Sequence, residues 1–154
     1  MFIRKAQNSK LDCDLIYSLS NDPLVRANSF NQDKIEYSAH CNWFEKTVSD
    51  KNMLFFLVFA EENENDFVGQ MRFKRESEVA TECVISLSIT DLFRGKHIAG
   101  EFIELGIKEL KKHWSSVKYV VAEVKAQNAP SNKLFEKKKF ELVSTVNTYK
   151  LQLF

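Results

Sequence analysis

Arg94, Gly95, Lys96, His97, Ile98, Ala99 and Gly100 form a short basic stretch with two glycines. It lies where an alternating strand pattern, 85–89, gives way to a helical one. Backbone N–H groups at a helix start have no partner in the helix and point outward, which makes a ready anion site. Arg94 and Lys96 add full positive charge there, and an arginine can grip phosphate with a planar fork. The chemistry this implies is a pyrophosphate cradle. The spacing is neither G-x-x-x-x-G-K-[ST] nor G-x-G-x-x-G, so the two common nucleotide loops are excluded. The alternative is an ordinary turn with two solvated cations, and the flanking strand and amphipathic helix favour the cradle.

The whole-chain balance says that any such site is local. The chain has 154 residues, enough for a single domain with one core, and its net charge is +1, with 44% hydrophobic and 28% charged residues. A nucleic-acid-binding domain would be strongly basic, so no nucleic-acid partner is expected. Cys13, Cys41 and Cys83 are odd in number and lack C-x-x-C or zinc spacing, and His40, His97 and His113 lack ligand spacing. Three free thiols in a reducing cytoplasm and no metal are the expectation. No apolar run approaches the roughly 20 residues of a membrane span, and the start is too short and polar for a signal peptide.

The elements that must position the loop follow from periodicity. Residues 2–6 read as a strand and 11–19 as a helix closed by Asn21-Asp22-Pro23, with 25–31 as a loop or short turn. Asp33 is expected to cap a helix to about residue 48, with Glu36 as its capping-box partner. Its stripe is Ile35, Ala39, Trp43 and Thr47, with His40 and Phe44 beside it. Residues 53–60 are a dense apolar run, hence a buried strand, hairpinned through the acidic 61–66 turn to 67–74. A strand over 79–89, a helix over 96–113, a strand over 118–124, a helix over 128–138 and strands over 140–143 and 145–153 complete the chain. The order β-α-α-β-β-β-α-β-α-β-β predicts an α/β protein with a mixed sheet and helices on its faces.

The stretch 94–99 resembles the acetyl-coenzyme A (acetyl-CoA) loop [QR]-x-x-G-x-[GA] of the GNAT N-acetyltransferase superfamily at its first and last positions. His97 stands where glycine is usual. If a left-handed backbone is needed there, a side chain costs about 1–2 kcal/mol. A second motif is similar too. Asn128, Ser131, Leu134, Lys137 and Phe140 match N-x-x-[AS]-x-x-L-Y-x-[KR]-x-G-F, with Lys139 in place of glycine and Phe135 in place of tyrosine. The element order matches as well, so the resemblance spans nearly the whole chain. It implies acetyl-CoA as cosubstrate, held by Ser88 and Ile89, by Arg94 through Gly100, and by Asn128, Ser131 and Phe135. The strand carrying Ser86 and Ser88 would offer backbone N–H groups to the thioester carbonyl. Phe135 has no proton for the leaving thiolate. Tyr149 and Ser131 are the substitutes, or the thiolate leaves without an acid, and Phe135 reads as a core aromatic over the acyl arm. Lys137, Lys138 and Lys139 read as a solvated helix end, with the 3′-phosphate of coenzyme A as an alternative partner.

Arg26, His40, Trp43 and Phe44 lie in an amino-terminal half that is similar to GNAT enzymes acetylating nucleotide-linked amino sugars. The resemblance implies a sugar-nucleotide pocket: His40 donating to a diphosphate, Trp43 or Phe44 packing on a ring, and Arg26 close by. The alternative is a core helix with a hydrogen-bonded histidine and a surface arginine. Glu82 is the candidate base, the alternative being an exposed strand-end glutamate. The expected reaction is direct acetyl transfer to the amine of a 4-amino-4,6-dideoxy sugar nucleotide. A protein amino terminus, a polyamine, an antibiotic, or binding of coenzyme A without catalysis are the other readings. The chain is expected to be a monomer or a homodimer.

Overall fold

The computed structural model describes residues 1–144 and 148–153. Seven strands form one sheet in the order β1-β2-β3-β4-β5-β7-β6. They are β1 (Phe2–Lys5), β2 (Met53–Phe59), β3 (Phe67–Lys74), β4 (Glu82–Ile89), β5 (Tyr119–Glu123), β6 (Glu141–Ser144) and β7 (Thr148–Gln152). The helices are α1 (Lys10–Ser20), α2 (Pro23–Asn28), α3 (Tyr37–Ser49), α4 (Ala99–His113) and α5 (Ala129–Lys137). Every neighbouring pair is antiparallel except β4 and β5, which the crossover through α4 makes parallel. The expected mixed α/β architecture is present.

Both faces of the sheet are covered over β2, which is why its sequence is continuously apolar rather than alternating. Phe55, Leu57 and Phe59 pack with Cys13, Ile16 and Phe44 under α1 and α3. Phe56, Val58, Met71, Phe73 and Ala122 pack with Phe102, Ile103, Leu110, Phe135 and Tyr149 on the α4–α5 side. α4 lies so close to β3 that a Cβ on Gly106 would stand 1.9 Å from Met71 Sδ.

Four boundaries differ from the periodicity. Residues 25–31 include most of α2, whose cap is Asp22: its Oδ1 accepts from the N–H groups of Leu24 at 2.9 Å and Val25 at 3.2 Å. Pro23 opens the helix, so Asn21-Asp22-Pro23 both closes α1 and starts α2. Asp33 does not cap α3, which begins only at Tyr37, with Glu36 as an N-cap lacking a side-chain bond. The reason is tertiary. The Asn21 amide accepts from the Ile35 N–H at 2.8 Å and donates to the Ile35 carbonyl at 3.1 Å, holding that residue out of the helix. α3 therefore buries His40, Phe44 and Thr47 and leaves Ala39 and Trp43 outside. β4 starts at Glu82 rather than residue 79, and α4 starts at Ala99 rather than Lys96. The start of the last expected strand, Thr145, lies outside the described residues.

α5 ends in a Schellman turn. The Phe140 N–H donates to the Phe135 carbonyl at 3.0 Å and the Lys139 N–H to the Glu136 carbonyl at 3.0 Å, with Lys139 at φ 63°. That is a left-handed position, and a lysine there costs about 1–2 kcal/mol relative to glycine. Lys139→Gly is expected to raise the melting temperature by a few degrees in thermal unfolding. An unchanged or lower value would show that the strain is relieved elsewhere.

Candidate functional site

The site is built on an interrupted ladder. β4 pairs with β5 only from Glu82 to Ile85, while on its other edge it pairs with β3 as far as Ile89. Residues 86–89 of β4 thus have no neighbour on the β5 side. The Thr90 N–H donates to the Val68 carbonyl of β3 at 2.9 Å. Strand alternation then turns the N–H groups of Leu87 and Ile89 toward the opening. These donors are available to a carbonyl placed between the strands.

The opening leads to the 94–100 turn. Gly95 has φ 70° and His97 has φ 58°, while Ile98 is right-handed at φ −84° and ψ −15°. Alternation of this kind gathers successive backbone N–H groups into one concavity. Ile98 caps α4 without a side-chain bond. The backbone N–H groups of Lys96, His97, Ile98, Ala99, Gly100 and Glu101 find no acceptor among the described residues. This unsatisfied rim fits a pyrophosphate. Lys138 lies over its edge, because a Cβ on Gly100 would meet its Nζ at 2.9 Å, and it pairs with Glu104.

Arg94 is not the phosphate fork that the sequence suggests. Its Nε donates to the Ile89 carbonyl at 2.9 Å and its Nη2 lies 2.9 Å from Asp22 Oδ1. Burial opposes ionisation of Asp22, but Arg94 and the α2 N–H groups outweigh it and hold the carboxyl below the usual carboxylate range. Arg94 is a strut that ties the cofactor turn to the start of α2. The groups left open to an anion are the backbone N–H groups of the turn and Lys96, whose Nζ rests 5.1 Å from the Phe93 ring centre.

The second motif frames the other wall. Asn128 caps α5, its Oδ1 accepting from the Ser131 N–H at 3.3 Å. Ser131 is half-buried beside it. Phe135 is 5% exposed and sits edge-on to Phe140 at 4.9 Å, so it is a core aromatic. Tyr149 is also buried. Its hydroxyl donates to Asn132 Oδ1 at 2.6 Å, beneath α5. Burial, and then the charge of Glu136, raise it above the ordinary phenol value. As a proton donor it is committed to Asn132 rather than to the opening.

The acceptor-side residues separate sharply. Arg26 spends its guanidinium on the carbonyls of Ser20, Asn31 and Asp33 and on Ser29 Oγ, so it ties the α1–α3 connection rather than meeting a substrate. His40 is 2% exposed and its Nε2–H donates to the Cys13 carbonyl at 2.9 Å, which leaves nothing for a diphosphate. Phe44 is 1% exposed and belongs to the core. Trp43 alone of that set remains open, at 37%. Glu82 sits at the far end of β4 and pairs with Lys150 at 2.6 Å. Over the eight-residue strand, a rise of about 3.3 Å per residue puts it roughly 23 Å from Ile89.

One carboxylate that the sequence reading overlooked belongs to a residue at the edge of the opening. Glu123 is the last residue of β5 and is exposed, one position beyond the last β4–β5 pair, Ile85 and Ala122. Ala122 faces α4, so Glu123 faces the other side, level with Ser86. Its signal was available in the alternation of 119–123, which ends on a charge. Among the described residues no cluster of His, Cys, Asp and Glu could hold a metal ion, and no helix is long and apolar enough to cross a membrane.

A family model described as an acetyltransferase (GNAT) domain matches residues 1–141. The chain belongs to the GNAT acetyltransferase family. The same architecture recurs in solved GNAT-like structures. Spermidine N-acetyltransferase from Vibrio cholerae, in complex with CoA and spermine, has TM-score 0.84 at 14% identity over 98% of this chain and 94% of that one. Ribosomal-protein-alanine N-acetyltransferase from Brucella melitensis has TM-score 0.78 at 19% identity, over 99% and 100%. A Salmonella typhimurium structure named for acetyltransferase activity, with its cofactor acetyl-CoA, has TM-score 0.75 at 20% identity, over 100% and 94%. No curated protein sequence matches the chain. This GNAT domain is accordingly an acetyl-CoA-dependent acetyltransferase, and the unsatisfied turn and the opening beside β4 are consistent with that cosubstrate.

Two measurements check this geometry. His97→Gly removes a side chain from a left-handed position and is expected to lower the acetyl-CoA Kd by about 3- to 10-fold in calorimetry. An unchanged Kd would mean that the strain at His97 does not differ between the free and the bound turn. Burial holds His40 below its ordinary value, against a smaller upward pull from the Cys13 carbonyl. The unfolded chain therefore binds more protons than the fold just below about pH 6.5, and the stability that neutral His40 contributes is lost as pH falls through that region. His40→Gln keeps an N–H donor without titrating, so its melting temperature should fall less than the wild type's between pH 7.5 and 5.5. Parallel curves would refute a buried neutral imidazole.

Proposed function

We propose that this GNAT domain transfers the acetyl group of acetyl-CoA directly to the primary amine of a nucleotide-linked 4-amino-4,6-dideoxy sugar, within a ternary complex. The observation that carries the transfer reading is the opening beside β4. It has unsatisfied amides of the 96–101 turn at one end and the polar sheet face of Ser86, Ser88 and Glu123 at the other. Acetyl-CoA supplies an activated acyl carbon. The N–H groups of Leu87 and Ile89 would stabilise negative charge on its carbonyl oxygen. Glu123 would take the proton of the attacking amine, directly or through one water. A C–N bond forms, the C–S bond breaks, and the thiolate takes its proton from solvent, because Tyr149 and Phe135 supply none. The sugar-nucleotide acceptor is supported by the resemblance of the amino-terminal half and by the open ring of Trp43 on that face.

Free-thiol release with UDP-linked 4-amino-4,6-dideoxy sugars tests the reading. Glu123→Gln should lower kcat/KM by about 100-fold or more. Tyr149→Phe should lose stability but keep kcat within a few-fold. A panel in which these sugars fail while a peptide amino terminus is acetylated would overturn the acceptor. A collapse of kcat in Tyr149→Phe at unchanged fold would restore the tyrosine as acid.

A further inference from the structure

Two buried polar groups on the acceptor face lack partners among the described residues, and they are neighbours. Gln70 is 5% exposed. Its Nε2 reaches Ser88 Oγ at 3.4 Å, while its Oε1 has no hydrogen-bond partner. Arg72, two positions on, has a buried Nε that is equally unpartnered. Its guanidinium lies 5.0 Å from the Trp43 ring centre and 5.6 Å from that of Phe55. Among the described residues no carboxylate or carbonyl pairs with it. The other arginines contrast with this: Arg4 holds Asp12 and Glu64, Arg26 holds three carbonyls, Arg75 holds Asn52 and Arg94 holds Asp22.

Burial pushes the Arg72 guanidinium down to about 10, so it stays charged at neutral pH. A desolvated cation without a counter-charge is expensive, and stacking on aromatic rings offsets only part of that. Position gives the expense a purpose. Gln70 is paired with Ser88 and Arg72 with Ser86, the stretch of β4 that β5 does not cover. The pair therefore stands one strand away from the opening, on the Glu123 face.

We propose that Arg72 and Gln70 form the acceptor-recognition subsite: Arg72 takes an anionic group of the acceptor, a phosphate or a carboxylate, and Gln70 Oε1 takes a neighbouring N–H or O–H. This rests on amine acetylation at the same opening. It makes the acceptor an anionic amine and disfavours a polyamine, which would set positive charge against Arg72. An arginine fork suits such a group bidentately, and a lysine would keep the charge without the fork.

Arg72→Met and Arg72→Lys test the subsite. With saturating acetyl-CoA, UDP-linked amino sugars and free amino acids separate the phosphate source from the carboxylate source, and spermidine serves as the polycation. The wild type should turn over one anionic class at least 100-fold better than spermidine. Arg72→Met should raise KM for that class about 10- to 100-fold at little change in kcat or in acetyl-CoA Kd. Arg72→Lys should recover part of the loss. Arg72→Met should also melt no lower than the wild type, since it removes an uncompensated cation. Spermidine as the better acceptor, or an unchanged KM in Arg72→Met, would overturn the subsite while leaving acetyl transfer intact. If no amine is acetylated, transfer fails as a reading, and calorimetry decides the subsite. Coenzyme A-loaded protein is titrated with each anionic amine: binding lost in Arg72→Met supports it, and binding unchanged or absent in the wild type refutes it.

Discussion

A parallel ladder that stops halfway organises this molecule. Strands β4 and β5 run together through Ile85 and Ala122, and then β4 continues to Ile89 paired with β3 and without β5. An edge inside a sheet leaves backbone donors unpaired, which a fold tolerates only where something else can satisfy them. The departure of β5 is held by its exit loop. Asn132 Nδ2 donates to the carbonyls of Lys125 at 3.0 Å and Asn128 at 2.9 Å, and its Oδ1 receives the Tyr149 hydroxyl. One asparagine thus joins the loop, α5 and β7, and keeps the strands from zipping further. The residues around Phe135 are the structural support of the opening more than its chemistry.

Charge is distributed with the same economy. Arg4 and Asp12 lock β1 to α1 at 2.8 Å, and Arg94 locks the cofactor turn to α2 through Asp22. Both are partly shielded pairs in which each partner has further hydrogen bonds, the condition under which a desolvated ion pair is tolerated. Among the described residues Arg72 meets no such partner, and its guanidinium rests against the rings of Trp43 and Phe55. Strain follows a similar rule. His97 and Lys139 hold left-handed backbone without being glycine, one in the anion turn and the other at the end of the helix whose Lys138 covers that turn. Strain of this kind persists where surrounding structure over-determines the backbone.

The sequence by itself determined the sheet, the crossover and the glycine-bearing turn between β4 and α4, because each is written in local period and local chemistry. Seven apolar residues in a row, three of them phenylalanine, read as a strand covered on both faces. A glycine-bearing turn before an amphipathic helix leaves the first backbone N–H groups of that helix without partners inside it. What the tertiary structure decided is which side chains are free to act. Arg26, His40 and Arg94 have the residue types of ligands, yet their donors are consumed by carbonyls and a carboxylate from elsewhere in the chain. Glu82 and Glu123 are alike as sequence, and only the register of β4 against β5 puts one at the opening and the other at the far end. Arg72 looked like an ordinary strand residue until β3 placed it over Trp43 without a counter-charge. Hydrogen bonds and ion pairs between distant residues have no period, so their partners become known only when the chain is folded.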